Sequence, residues 1–185
     1  MITTTLNKIR AHKPCENGWK KLLEHLGKTK ADDEPLPLLT ILESNGVEDT
    51  IWCFRTLPEH NSKWQHFAVD CAERVKHLMK GPRSLEALRV ARLHADGLAT
   101  DKEVFQAYKA ATAAYAATAD AADAAAVYAA YAATTADAAY AAATAAYADA
   151  DANAAYAAAS GSATADAAYA AERKWQANKL KEYIS

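Results

Sequence analysis

The feature that most constrains this chain is its second half, residues 110–171. More than half of this stretch is alanine, the remainder is almost entirely Tyr, Thr and Asp, and it contains no Lys, Arg, Pro or Leu. Alanine loses no side-chain rotamer freedom in a helix and has the highest intrinsic helix propensity. The stretch is therefore predicted to be helical with little help from packing. Such a helix presents small, smooth faces that let neighbours approach closely.

Charge and cysteine content narrow the class. The chain has 185 residues and a formal charge of -2, which suits one domain or a domain with an appendage. Residues 1–109 are mildly basic, residues 110–171 carry six Asp and no base, and the tail from Glu172 is basic again. That balance argues against a dedicated nucleic-acid partner. Six Asp over the tract also fall well short of the charge density of DNA, so mimicry of nucleic acid is disfavoured. The three cysteines, Cys15, Cys53 and Cys71, fit neither a disulfide framework nor a zinc spacing. Cys53 and Cys71 read as small buried hydrophobes. The start lacks an apolar run of signal-peptide length. Asp recurs through the alanine tract, and each Asp at a bilayer centre costs about 2.5–3.5 kcal/mol. A cytoplasmic protein with no membrane partner is expected.

The first half reads as a series of short helices. Thr3–Thr5 cap a helix with Leu6 and Ile9 on one face, ended by Pro14. Trp19, Leu22, Leu23 and Leu26 share one helical face, with Gly27 as its stop. A loop over 28–37 precedes a helix opened by Pro37 and closed at Asn45-Gly46, and a second short helix follows at Val47–Leu57. Ser62 is placed to cap a helix over Lys63–Met79 whose stripe is Trp64, Phe67, Ala68, Cys71, Val75 and Leu78. On its other face Asp70 with Arg74, and Glu73 with His77, stand four residues apart, the spacing of helical ion pairs. Ser84–Ala95 forms the next helix, with Arg89 and Arg92 exposed. Thr100 followed by Glu103 is a capping box that announces the helix from Val104 into the alanine tract. No strand pattern occurs, so the fold is predicted to be all-α: a head of short helices over 1–103, then an alanine-rich long-helix hairpin or bundle over 104–185, packed on the head or extending from it.

A single helix over 104–159 would be roughly 84 Å long at 1.5 Å per residue. Two or three antiparallel alanine helices are the better expectation. Ser160-Gly161-Ser162 is the definite break, and Thr134-Thr135 and Asp149–Asn153 are weaker ones. The tyrosines recur with a weak 16-residue repeat, as at Tyr115, Tyr131 and Tyr147, or Tyr140 and Tyr156. Tyr131, Tyr140, Tyr147 and Tyr156 are the candidates for an aromatic interface. Small faces of this kind also suit association of copies of the chain.

Catalytic chemistry needs convergent polar groups, and no HExxH, GxSxG or Gly-rich phosphate loop is present. No metal or cofactor is expected, nor an enzyme. The densest polar set is Asp49, Arg55, Asp70, Glu73, Arg74 and His77, read as a salt-bridged helix pair or as a recognition patch with Arg55 and Arg74 as anion contacts.

Four segments carry a family resemblance: PCENGW at 14–19, LLTILESNGVEDTIWCFRTL at 38–57, FAVDCAERVKHL at 67–78 and ALRVARLHADGLAT at 87–100. With the alanine-rich half they resemble the Imm5 family of immunity proteins, found in bacterial polymorphic-toxin loci and in phages and prophages. The specific part is Ser44-Asn45-Gly46, Glu48-Asp49 and Trp52, then Phe67, Cys71, Val75, His77 and Leu78. The resemblance implies a non-catalytic protein that neutralises a toxin or a bacterial defence effector by direct binding; the polar set and Trp52 then supply its binding candidates, Asp49, Trp52, Arg55, Asp70, Arg74 and His77. The alternative is a phage sponge that sequesters a nucleotide signal, with Arg55, Arg74, Arg89 and Arg92 on the phosphates and Trp or Tyr stacked on the base.

Overall fold

The computed structural model describes residues 1–118, 121–134, 138–161 and 163–185; side chains at 117, 118, 121, 133, 134, 138–143, 155, 158 and 159 also lie outside the description. The fold is all-α. The helices are α1 (Leu6–Ala11), α2 (Glu16–Leu26), α3 (Leu38–Asn45), α4 (Val47–Cys53), α5 (Asn61–Arg74), α6 (Pro82–Ala95), α7 (Asp101–Thr118), α8 (Ala121–Thr134), α9 (Ala138–Ser160) and α10 (Ala165–Ile184). Contrary to the expectation of no strand, Thr3–Thr4 (β1) pairs antiparallel with Leu36–Pro37 (β2). The reason is tertiary. The Ile2 N–H donates to the Ile184 carbonyl (2.8 Å) and the Leu38 N–H to the Ile2 carbonyl (3.0 Å), so the extended N-terminus is clamped between the last helix and the start of α3.

Local chemistry sets most helix ends. Thr5 Oγ1 accepts from the Lys8 N–H (3.1 Å) at the start of α1. Gly27 ends α2 in the left-handed region at φ 64°, where only glycine carries no Cβ penalty. Thr100 and Glu103 complete the reciprocal box: the Thr100 N–H donates to Glu103 Oε2 (2.8 Å) and the Glu103 N–H to Thr100 Oγ1 (3.3 Å). The helix assigned to Lys63–Met79 is shifted: α5 begins at Asn61, ahead of Ser62, and gives way after Arg74 to a tight 3-10 turn at Lys76–Leu78 that swings the chain into α6. Helix α4 likewise tightens into a 3-10 turn at Phe54–Thr56.

Helix α5 is the axis of the molecule. Its Trp64 stacks on Phe54 (centroids 3.6 Å apart, planes 9° apart), and Phe67 meets Phe54 and Tyr183 edge-on. Trp64, Phe54 and Phe67 are fully buried, each contributing about 1.5–3 kcal/mol of transfer free energy. Around α5 lie α8, α9 and α10 on one side and α6 on another; α7 packs on α6 and α8. The alanine tract thus runs through four helices: the end of α7, all of α8 and α9, and the start of α10. The Asp149–Asn153 break is not used, because α9 runs through it; the Ser160-Gly161 break is, with Gly161 at φ 67°. Thr135 and Ser162, members of the other break signals, lie outside the described residues. Alanines fill the seams, with Ala124–Ala126, Ala129, Ala130, Ala145 and Ala146 buried. Residues 1–103 and 104–185 share both hydrophobic clusters. One joins α1–α5 to Ala132, Ala145, Ala146, Leu180 and Ile184, and the other joins α5 and α6 to Ala111 and the α8 alanines.

Candidate binding recess

Helix α4 positions the site. Gly46 adopts φ 94° and turns the chain sharply between α3 and α4, and Glu48 and Asp49 stand in the first turn of α4. Asp49 is then held by its neighbours. Asn45 Nδ2 donates both to Asp49 Oδ2 (2.7 Å) and to the Gly18 carbonyl on α2 (2.8 Å), and Ser44 Oγ donates to Asn45 Oδ1 (2.7 Å). The approach of the carboxylate to α2 requires glycine there: a Cβ on Gly18 would stand 2.6 Å from Asp49 Oδ2 and 3.1 Å from Cys15 Sγ. Cys15 is exposed and caps α2, its Sγ accepting from the Gly18 N–H (3.3 Å).

These groups surround a recess of about 70 Å³ with a floor of Ile9, Leu22 and Ile41 and with Trp19, Trp52, Asn45 and Asp49 among its walls. Trp52 is half-buried. The Arg55 guanidinium carbon lies 4.4 Å from its ring centroid, while Arg55 Nε donates to the Trp52 carbonyl (2.9 Å). One turn before Trp52, Glu48 reaches Arg173 (3.0 Å), whose guanidinium lies 5.0 Å from the Tyr147 ring centroid. Tyr147 is 39% exposed. Trp52, Glu48, Arg173 and Tyr147 therefore extend the recess into a mixed aromatic and charged surface across α4, α9 and α10.

The six-residue polar set does not form one site. Asp49 and Arg55 stay at α4, and the rest disperse along α5. The helical pairs Asp70–Arg74 and Glu73–His77 give way to tertiary partners. Asp70 pairs with Arg92 and Lys179 (3.3 Å) and accepts from the Tyr183 hydroxyl (2.7 Å). Burial opposes its charge, but hydrogen bonds from Arg92 and Tyr183 outweigh that and hold its carboxyl below the usual range. Arg92, expected to be exposed, is half-buried between Asp70 and Glu73 (2.7 Å). Arg74 forks onto Glu172, Nε to Oε1 at 3.1 Å and Nη2 to Oε2 at 3.0 Å, and lies over the Trp175 ring. His77 meets Tyr156 edge-on at the surface. Arg89 forks onto Glu86. The four arginines of the nucleotide alternative are thus engaged separately and share no pocket. Tyr131 is half-buried against Tyr108 (centroids 5.5 Å apart), and the Tyr140 side chain lies outside the described residues.

A second polar assembly, of Asp149 and Asn153 in the alanine tract with Glu172 and Gln176 just beyond it, had no signal in the sequence. Asp149, Glu172 and Gln176 are buried between α9 and α10. Asn153 Nδ2 stands 3.1 Å from both Asp149 Oδ1 and Glu172 Oε2; Gln176 Nε2 donates to Asp149 Oδ2 (3.2 Å) and to the Ala146 carbonyl (2.7 Å). Burial first, and then the charge of Glu172, push the Asp149 carboxyl up to about 8. The assembly is closed off by its own partners and reads as an internal lock between α5, α9 and α10.

Among the described residues, no group of three His, Cys, Asp or Glu side chains is placed to hold a metal ion, and no helix is long and apolar enough to cross a membrane. Two histidines gain carboxylate partners that their spacing did not announce, His66 with Asp96 (3.1 Å) and His94 with Asp101 (2.9 Å); neither lines the recess. The chain matches no protein-family model, no curated protein and no solved structure.

Proposed function

We propose that this protein is a non-catalytic immunity or counter-defence protein of the Imm5-like class, neutralising a toxin or a bacterial defence effector by binding it. The observation that carries the reading is convergence: the PCENGW and SNG-x-E-D-x-x-W segments, far apart in sequence, meet around one surface recess. Motifs needed only for stability would face the core. Here Trp19, Trp52 and Asp49 remain partly open, and Trp is the residue type most enriched among energetically dominant contacts of protein interfaces. Sequestration of a nucleotide signal receives less support. It asks for convergent cations, and the groove of sufficient size between α6 and α7, about 670 Å³, holds only Arg89 of the four arginines, already forked onto Glu86, with Glu103 beside it.

The test is affinity capture from bacterial lysate with the wild-type chain and with Trp52→Ala as baits. One stoichiometric partner on the wild type, lost on the variant, is expected, and co-expression should then relieve that partner's toxicity. Recovery of no partner, or equal recovery on both baits, counts against the proposal. The bacterial cytoplasm is the proposed place of action, and a homo-oligomer is compatible with it.

A further inference from the structure

We infer that the recess between α2 and α4 seats a single basic side chain of the binding partner, a lysine or arginine, with its hydrocarbon stem on the apolar floor and its cationic head at Asp49. The inference rests on the binding role proposed above and specifies its chemistry.

Size comes first. A recess of about 70 Å³ is far below the roughly 300–1,000 Å³ of small-molecule sites. It fits one side chain from a larger body that makes its remaining contacts outside. Charge comes second. Asp49 is the one acidic or basic side chain lining the recess. Its Oδ2 is occupied by Asn45, while among the described residues its Oδ1 accepts no hydrogen bond. A carboxylate with one oxygen fixed and one open is pre-organised for a charge-assisted hydrogen bond from a cation. Asn45 is itself committed to Asp49 and Gly18, so it offers little to an anion.

The walls supply the third argument. Trp19 and Trp52 offer aromatic surface to an alkyl stem and electron-rich faces to a cation. Trp52 already receives a guanidinium, that of Arg55, at 4.4 Å within the chain, so the ring is demonstrably placed for such contact. A neutral apolar side chain would satisfy the floor but would bury the open oxygen of Asp49 without a partner, which is costly. An acidic side chain would meet the carboxylate directly. The class that satisfies floor, walls and carboxylate together is an alkyl cation.

The test uses the intact ¹⁵N-labelled chain and small probes: n-butylguanidinium, N-acetyl-lysine methylamide, and the neutral N-acetyl-norleucine methylamide. The readout is the indole N–H resonances of Trp19 and Trp52, with Trp64 and Trp175 as internal references. The two cationic probes are expected to shift Trp19 and Trp52 saturably at millimolar concentration. The neutral probe, and either cation with Asp49→Asn, should bind about tenfold more weakly. Gly18→Ala, which displaces the carboxylate without removing it, should weaken the cations in the same direction and guards against a folding defect in Asp49→Asn. Equal binding of the neutral probe would overturn the assignment in favour of an apolar anchor. No shift of either indole up to about 100 mM, a concentration at which even contacts of ~1.4 kcal/mol register, would overturn the recess as a side-chain seat. Probe binding without any captured protein would leave the seat and remove the immunity role. A captured partner with silent probes would do the reverse.

Discussion

Replacing Asp149 by Asn should make the protein more stable at alkaline pH and flatten its stability profile. Asp149 is fully buried and its carboxyl is raised from 3.8 to about 8, first by burial and then by Glu172. Between those values the folded chain keeps a proton that the unfolded chain has released. Stability therefore falls as pH rises through this window, at up to about 1.4 kcal/mol per pH unit, and levels off above it. From pH 5 to pH 8 the wild type should lose on the order of 2–4 kcal/mol from this group. Asn carries a permanent neutral amide of the same shape, still accepts one hydrogen bond, and can offer its N–H to Glu172 where the acid offered its proton. The variant should lose less than about 1 kcal/mol over the same range. The assay is urea unfolding followed by tryptophan fluorescence at pH 5, 6, 7 and 8, comparing midpoints at constant m. The decisive quantity is the difference between variant and wild type, in which contributions common to both proteins cancel. An equal slope in both proteins would refute the account of a proton held between two buried carboxylates.

Three further outcomes follow from the packing. Gly18→Ala gains helix propensity yet places a Cβ 2.6 Å from Asp49 Oδ2, so it should be destabilising by about 1 kcal/mol rather than stabilising by the same amount, which a thermal melt will read. Thr100→Ala removes the Oγ1 that accepts from the Glu103 N–H and donates to the Glu103 carboxylate, leaving only the backbone arm of the box on α7, and should cost about 1 kcal/mol, a shift in Tm of about 2–4 °C for a chain of this size. Ala125→Leu puts a bulky side chain on a position with no exposed surface, and should cost about 1–3 kcal/mol or more, read as a lower urea midpoint.

Which parts of this structure were legible in the sequence follows from how local their causes are. The caps at Thr5 and Thr100 and the glycine stops at Gly27 and Gly161 depend on a few neighbouring residues, and they were readable. The α5 stripe of Trp64, Phe67, Cys71 and Val75 was readable from its period. The ion pairs on the same helix were not. Spacing brings Asp70 and Arg74 together on an isolated helix for a few tenths of a kcal/mol, but Arg92, Lys179 and Glu172, distant in sequence, offer less solvated partners once α6 and α10 dock. Asp149–Asn153 was misread for a related reason: poor helix formers suggested a break, whereas their hydrogen bonds to each other and to α10 hold them inside α9. At the recess, Asp49 and Trp52 stood out by residue type. Gly18 and Asn45 were visible as turn and motif residues, but their contacts with Asp49 were not, because these depend on the close approach of α2 to α3 and α4.

The alanine half also acquires a role from this geometry. Helix α4 has only seven residues, too short to hold a shape in isolation, yet it must keep Trp52 and Asp49 fixed toward α2 while Glu48 faces α9 and α10. What holds it is the surface behind it. Ala145 and Ala146 join the cluster that contains Ile51, Cys53 and Phe54, and the smallness of those alanines lets α9 sit close beneath α4. The Ala146 carbonyl is in turn tied to Gln176 and through it to the Asp149–Glu172 lock. The alanine helices thus back the recess and carry Tyr147 and Arg173 to its edge, while residues of the first half form its chemistry. A long bare rod could do neither, which is why the folding of the tract onto α5 bears on function as well as on stability.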